Sequence, residues 1–168
     1  MISPDNTNRE SSDMNPAEED NTHSASTDSK IGPDDFMPLL KLGQGTFGKV
    51  YLVRQISTGE LYAMKVLSKE QIFKKNLVRY AKTERDVLSV TLHSFIVGLN
   101  YAFQTRTKLF LILDFCPGGD LAKKIQKEGK LDEEVARTYL CEILLALEDL
   151  HKRDIIYRDL KPDNVVID

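Results

Sequence analysis

The chain has 168 residues, long enough for one domain with a real core. Its 41% hydrophobic content, absence of Trp and formal net charge of −3 are those of an ordinary soluble globular protein. Residues 2–5 offer neither an apolar secretory core nor the Gly that myristoylation requires, and no apolar run approaches membrane-spanning length. Cys116 and Cys141 stand far apart without flanking His, which reads as two reduced thiols rather than a disulfide or metal site. The expectation is a soluble intracellular protein, cytoplasmic or nuclear, with no membrane span.

Charge is unevenly spread. Nine of the 26 acids and two of the 23 bases fall in residues 1–35, leaving 17 acids against 21 bases in the remainder. The first 35 residues are rich in Ser, Asn, Asp, Thr and Glu and nearly devoid of aliphatics, so they cannot bury enough surface to offset the entropy of ordering. They read as a disordered acidic leader. Order is expected from Phe36.

Residues 36–42 lead into a glycine cluster, and residues 49–53, Lys-Val-Tyr-Leu-Val, have the β-branched and aromatic content of a strand. A turn at residues 57–60 precedes a second strand over 61–67. Ser68-Lys69-Glu70-Gln71 has capping-box spacing and should start a short helix. Over 76–90 the apolar spacing is helical, with Leu77, Tyr80, Ala81, Val87 and Leu88 on one face. Residues 99–103 and 109–115 read as two more strands, and Pro117-Gly118-Gly119 as a hinge into a helical region. Helices are expected over 120–128 and 132–152, the second lined by Val135, Tyr139, Ile143, Leu147 and Leu150.

Three stretches carry chemistry. Gly43-Gln44-Gly45-Thr46-Phe47-Gly48 matches G-x-G-x-x-G, a spacing shared by phosphate-cradling turns and dinucleotide folds. A dinucleotide fold follows its glycines with a helix, whereas a strand follows here. A hairpin that lets backbone N–H groups approach phosphate oxygens therefore fits better.

Lys65 lies in the row Leu61, Ala63, Lys65, Leu67, which alternation assigns to one face of its strand. Glu84 lies between Tyr80 and Leu88 on the apolar face of the 76–90 helix. Two opposite charges on faces that should both be buried are expected to pair, leaving the lysine donor capacity for a phosphate.

The third stretch is Tyr157-Arg158-Asp159-Leu160-Lys161-Pro162-Asp163-Asn164, set between Ile155-Ile156 and Val165-Val166-Ile167. Polar groups wedged between apolar runs are costly unless each has a partner. An acid able to take a proton, a lysine able to neutralise phosphate and a carboxamide able to ligate a metal are what phosphoryl transfer needs.

Glycine loop, strand lysine, helix glutamate and R-D-L-x-x-x-N, in this order, resemble the eukaryotic protein kinases. Within them, Tyr157, Lys161-Pro162-Asp163-Asn164 and Pro117-Gly118-Gly119-Asp120 resemble the AGC-type serine/threonine kinases. His93-Ser94-Phe95-Ile96 departs from that group's His-Pro-Phe. The resemblance covers about residues 36–168. It implies an α+β, kinase-like fold: an antiparallel-sheet N-lobe with one main helix over 36–116, then the first helices and catalytic loop of a helical C-lobe over 117–168.

It also implies ATP and Mg2+. Gly43, Gly45 and Gly48 would cover the phosphates, and Lys65, oriented by Glu84, would hold two of them. Val50, Ala63 and Val166 would sandwich the adenine, with Leu113 as gatekeeper and Asp114 to Cys116 supplying backbone hydrogen bonds. Asp120 would reach the ribose or a basic substrate side chain. Asp159 would be the catalytic base, Lys161 the γ-phosphate neutraliser and Asn164 a magnesium ligand. Asp120 and Asp163 suggest protein substrates with Arg or Lys ahead of the acceptor Ser or Thr. Arg158 is placed to pair with an activation-loop phosphate. No nucleic-acid partner is implied.

The sequence ends four residues after Asn164 without an Asp-Phe-Gly, whose Asp is the main magnesium ligand of such kinases. The reading is therefore an N-terminal fragment of an active kinase, inactive by itself, with the 132–152 helix missing cover over Ile143, Leu144 and Leu147. The alternative is a non-catalytic nucleotide-binding or regulatory kinase-like module. A dinucleotide-dependent oxidoreductase would need a helix after Gly48.

Overall fold

The computed structural model describes residues 31–45 and 48–168; the leader over 1–30 and the loop residues Thr46 and Phe47 lie outside the described residues. Five strands form one antiparallel sheet in the order β1-β2-β3-β5-β4: β1 (Phe36–Gln44), β2 (Gly48–Gln55), β3 (Leu61–Ser68), β4 (Leu99–Gln104) and β5 (Lys108–Asp114). The strand that follows the glycines excludes the oxidoreductase alternative.

Partners in an antiparallel ladder share a face, so the register sorts the side chains. One face carries Val53, Met64, Phe110 and Ile112, which with Phe36 make the buried cluster of the sheet. Tyr62, Tyr101 and Phe103 close over it; Phe103 stacks on Phe36 at 5.9 Å and on Phe110 at 5.3 Å between ring centroids. Ile31 packs there too, so ordered packing begins five residues ahead of Phe36, through a 3-10 turn at Pro33–Asp35. Burying each such side chain stabilises the fold by about 1.5–3 kcal/mol.

The opposite face carries Gly48, Val50 and Leu52 across from Leu67, Lys65 and Ala63, and these across from Leu109, Leu111 and Leu113. Alternation places Lys65 in that row. The main buried cluster lies behind it.

Ser68 ends β3 and caps α1 (Lys69–Lys74), its side chain accepting from the Gln71 N–H at 3.5 Å. The next helix, α2 (Val78–Val90), begins two residues later than the periodicity suggests, because Asn76 adopts φ +54°, a left-handed geometry that interrupts a helix. Its expected apolar face is only partly realised: no α2 residue is buried and Tyr80 is 72% exposed.

Beyond β5 the Pro117-Gly118-Gly119 stretch is fastened rather than open. The Gly118 N–H donates to the Ile167 carbonyl at 2.8 Å, and β6 (Gly119–Asp120) pairs with β7 (Val166–Ile167). A Cβ on Gly118 would stand 2.7 Å from Ile167 O, so this close approach requires Gly. Asp120 is the N-cap of α3 (Leu121–Glu128) rather than its first residue. The long helix, α4 (Glu133–Lys152), has i,i+4 ion pairs near both ends, Glu133–Arg137 at 2.8 Å and Glu148–Lys152 at 3.0 Å. Leu150 is buried and Tyr139, Ile143 and Leu147 are half-buried, but Val135 is exposed. Leu144, expected to lack cover, is 63% exposed, and Leu140 and Leu145 are exposed beside it.

Candidate active site

Lys65 and Glu84 meet. Lys65 Nζ donates to Glu84 Oε1 across 19 positions of sequence, joining the middle of β3 to the middle of α2. The surroundings are wetter than the apolar patterning suggests: the side chains are 27% and 36% exposed. Val50 faces Lys65 from β2 and Leu111 from β5, and Ala63 and Leu113 form the neighbouring rung. Lys65, Val50, Ala63 and Leu113 therefore line one surface.

The three glycines above it differ. A Cβ at Gly48 would lie 2.0 Å from Val66 O, so this glycine is demanded by the β2–β3 contact itself. Gly43 pairs with Val50, and a Cβ there or at Gly45 would meet nothing within 4 Å among the described residues. Their bareness leaves space for something outside the protein. The Gly45 N–H donates to the Gly48 carbonyl at 3.0 Å, closing the hairpin, so it is not one of the free donors expected of the loop.

At the far end of β5 the Asp114 carboxylate accepts from the Gly98 N–H at 2.7 Å and Asn100 Nδ2 at 2.8 Å, while its own N–H donates to Gly98 O at 3.1 Å. Sequence reasoning assigned Asp114 only backbone groups for a ligand; its N–H is taken, and its side chain fixes the start of β4. Cys116 is half-buried, and burial pushes its thiol up, as do the nearby Asp168 and Asp114 carboxylates. Its carbonyl accepts a long hydrogen bond from Gly119 at 3.4 Å.

The Asp120 carboxylate accepts from the Lys123 N–H at 2.9 Å and Lys123 Nζ at 2.6 Å. The lysine contact holds its carboxyl below the usual carboxylate range. As it stands it caps its own helix, and a reach toward ribose or a substrate side chain would have to displace Lys123. Val166, partnered with Asp120 in the β6–β7 ladder, is 44% exposed.

Asp159 is gripped from both sides. Lys161 Nζ donates to its Oδ1 at 3.1 Å, and Asn164 Nδ2 donates to its Oδ2 at 2.7 Å and its carbonyl at 2.9 Å. These partners, Lys161 first, hold its carboxyl below the usual range. Two choices of the sequence shape the loop: Arg158 takes φ +61°, which reverses the chain ahead of Asp159, and Pro162 opens the 3-10 turn Pro162–Asn164 that swings Asn164 back. Tyr157 is 41% exposed; partial desolvation, then the Asp159 carboxylate, push its hydroxyl up against the opposing pull of Asn164 and Lys161, and Glu84 adds a smaller push. Tyr157 thus stands where the field of the α2 glutamate and that of the loop aspartate overlap. Among the described residues no group of three His, Cys, Asp or Glu is placed to hold a metal by itself.

This arrangement sits in a chain that matches the protein kinase domain over residues 36–168. The chain belongs to the protein kinase family. Its relatives place this kinase domain with the AGC-type serine/threonine kinases. It is 50% identical over 140 residues to the serine/threonine-protein kinase SCH9 of Saccharomyces cerevisiae, covering 82% of this chain and 17% of that protein. It is 51% identical over 142 residues to ribosomal protein S6 kinase alpha-2 of Homo sapiens, covering 83% and 19%. It is 50% identical over 138 residues to the RAC family serine/threonine-protein kinase homolog of Dictyostelium discoideum, covering 82% and 31%. The kinase chain thus spans between 17% and 31% of the length of these relatives. No helix among its described residues is long and apolar enough to cross a membrane.

Sequence reasoning missed the Asp114–Gly98 fastening, because a carboxylate bonding a backbone 16 positions away leaves no local pattern. It also missed the bond from Arg153 Nη1 to the Val90 carbonyl at 3.2 Å. The Asp149–Arg153 spacing of four was the available signal.

Proposed function

We propose that this chain is the ATP-binding part of a cytoplasmic or nuclear serine/threonine protein kinase that transfers the γ-phosphate of ATP to protein hydroxyls. The reading rests above all on the Lys65–Glu84 ion pair, set on the sheet face shared by Gly48, Val50, Ala63 and Leu113. Glu84 occupies one donor of the ammonium and orients it, and the remaining donors of Lys65 are directed to phosphate oxygens. The bare strip at Gly43 and Gly45 receives the phosphates. Val50 and Ala63 meet one face of the adenine and Val166 the other, beside the gatekeeper Leu113.

Asp159, ionised by its contacts with Lys161 and Asn164, takes the proton of the acceptor hydroxyl as the new O–P bond forms and the bond to the ADP oxygen breaks. Lys161 lies beside it and neutralises charge that gathers on the transferring group. Mg2+, held in part by Asn164, would supply positive charge to offset that of the phosphates. Of the described residues Asn164 offers it one amide oxygen, in keeping with an ion that takes most of its ligands from water and phosphate.

A preference for basic residues ahead of the acceptor follows if Asp163, and Asp120 once parted from Lys123, meet substrate side chains. The test uses the full-length protein with labelled ATP, Mg2+ and two peptides, one with Arg ahead of the Ser and one neutral. Label on the basic peptide, lost in Lys65→Met, supports the reading. Equal labelling by wild type and Lys65→Met removes it.

A further inference from the structure

The C-terminal end of α2 and the C-terminal end of α4 are joined through Arg153. Arg153 follows α4 as its C-cap, and its guanidinium is held in place by Asp149, with Nε on Oδ2 at 2.9 Å and Nη2 on Oδ1 at 3.3 Å. The remaining nitrogen, Nη1, crosses 63 positions of sequence to donate to the carbonyl of Val90, the last residue of α2. The last carbonyls of a helix have no intrahelical partner and carry the negative end of its dipole, so a guanidinium there is favoured twice. Thr91 serves the same end, its hydroxyl donating to the Val87 carbonyl at 2.7 Å.

The two ends so joined belong to the two halves of the site. Glu84 lies six positions before Val90 on one rigid helix, and Asp159 lies six positions after Arg153. The intervening chain is itself fixed, with the Asp154 N–H on His151 O at 3.0 Å and the Ile155 N–H on Leu150 O at 2.9 Å. Moving the end of α2 therefore moves Glu84 relative to the loop.

We infer that Arg153, steered by Asp149, is a positioning residue that pins α2 to α4 and so sets Glu84 and Lys65 in register with Asp159. This rests on the kinase reading above, and the two can fail separately. A guanidinium fork serves both partners at once, which an ammonium does less well. The expected result is that Arg153→Ala in the full-length protein lowers kcat/KM about three- to tenfold and Arg153→Lys recovers part of it. In both variants, amide hydrogen exchange should quicken over residues 87–92 and stay unchanged over 61–67.

A double-mutant cycle with Asp149→Asn covers the case in which Arg153→Ala folds poorly. Because Asp149 acts through Arg153, Asp149→Asn should cost less in Arg153→Lys than in wild type. Fully additive effects, or unchanged exchange over 87–92 in Arg153→Ala, would overturn the inference. Should Lys65→Met abolish transfer while Arg153→Ala transfers at the wild-type rate, the pin falls and the kinase reading stands. If Lys65→Met leaves transfer intact, the kinase reading falls and takes the inference with it.

Discussion

Asn164 holds Asp159 at two points, its Nδ2 donating to the carboxylate at 2.7 Å and to the main-chain carbonyl at 2.9 Å. A side chain that bonds both the backbone and the carboxylate of one residue fixes where that carboxylate points. Lys161 on the other oxygen completes the arrangement. The position of Asp159 is thus determined before any substrate arrives, and its charge is held by neighbours rather than by burial.

The same contacts set a pH dependence. Asp159 is held below its usual value of 3.8, by Lys161 first and Asn164 next. A carboxylate with a depressed folded pKa contributes stability that is present above the unfolded pKa and lost as pH falls through the folded one. Its service as a base is lost in that same window. The acid limb of the kcat/KM profile that belongs to this group should therefore lie below the ordinary carboxylate range. In Lys161→Met that limb should move to higher pH. The plateau should also drop about 10²- to 10³-fold through loss of a charge near the phosphate. A lower plateau with an unmoved limb would separate Lys161 from the ionisation of Asp159.

Lys65 and Glu84 lead to a prediction about stability as much as activity. With both side chains about a third exposed, their ion pair is worth only about 0–1 kcal/mol to the fold. Lys65→Met should accordingly unfold within about 1 kcal/mol of wild type in a urea titration. The same substitution should lower phosphate transfer at least about 10²-fold. Loss of both together would mean that the pair holds the fold and would leave its chemical role unsupported.

Much of this was legible in the sequence, and the reason is periodicity. Alternation in residues 61–67 placed Lys65 on the face with Ala63 and Leu67, and the strand after Gly48 distinguished a phosphate hairpin from a dinucleotide turn. The face of α2 was less legible: Tyr80 shares the helical spacing of Ala81 and Leu88 but is exposed, because spacing reports which residues align and not what covers them. The β6–β7 ladder is two residues on each side, too short for any period. The second duties of Asp114 and Asp120 were hidden for another reason. Each carboxylate bonds a backbone N–H, and a backbone partner leaves no residue type to read.

Tyr62 offers a test of the sheet away from the site. Its hydroxyl donates to Glu60 Oε2 at 2.6 Å, and this contact, with burial next, pushes its pKa from 10.0 up to about 12. A raised folded pKa gives stability that is complete below the unfolded value and lost as pH rises through the folded one. Between pH 10 and about 12 the sheet should therefore weaken. Glu60→Gln should bring the Tyr62 transition back toward 10, as read by ultraviolet titration of tyrosinate against a Tyr62→Phe control. An unchanged transition would show that the carboxylate is not its cause.

The glycines of the loop should divide into two kinds on substitution. Gly48 is closed in by its own protein, since a Cβ would lie 2.0 Å from Val66 O and 2.9 Å from Val66 C, both backbone atoms that cannot swing aside. Gly48→Ala must prise β2 from β3 and should cost about 1–3 kcal/mol, as overpacking does elsewhere. Among the described residues nothing stands against Gly45, and its φ lies outside the left-handed region, so Gly45→Ala should change stability by no more than about 0.5 kcal/mol. If the open strip receives phosphate, the two variants should part in opposite senses: Gly45→Ala raising the KM for ATP with an unchanged urea midpoint, Gly48→Ala lowering the midpoint. A Gly45→Ala protein that is destabilised as much as Gly48→Ala would show that the loop is held by internal packing throughout. In that case the bare strip would lose its claim to a ligand.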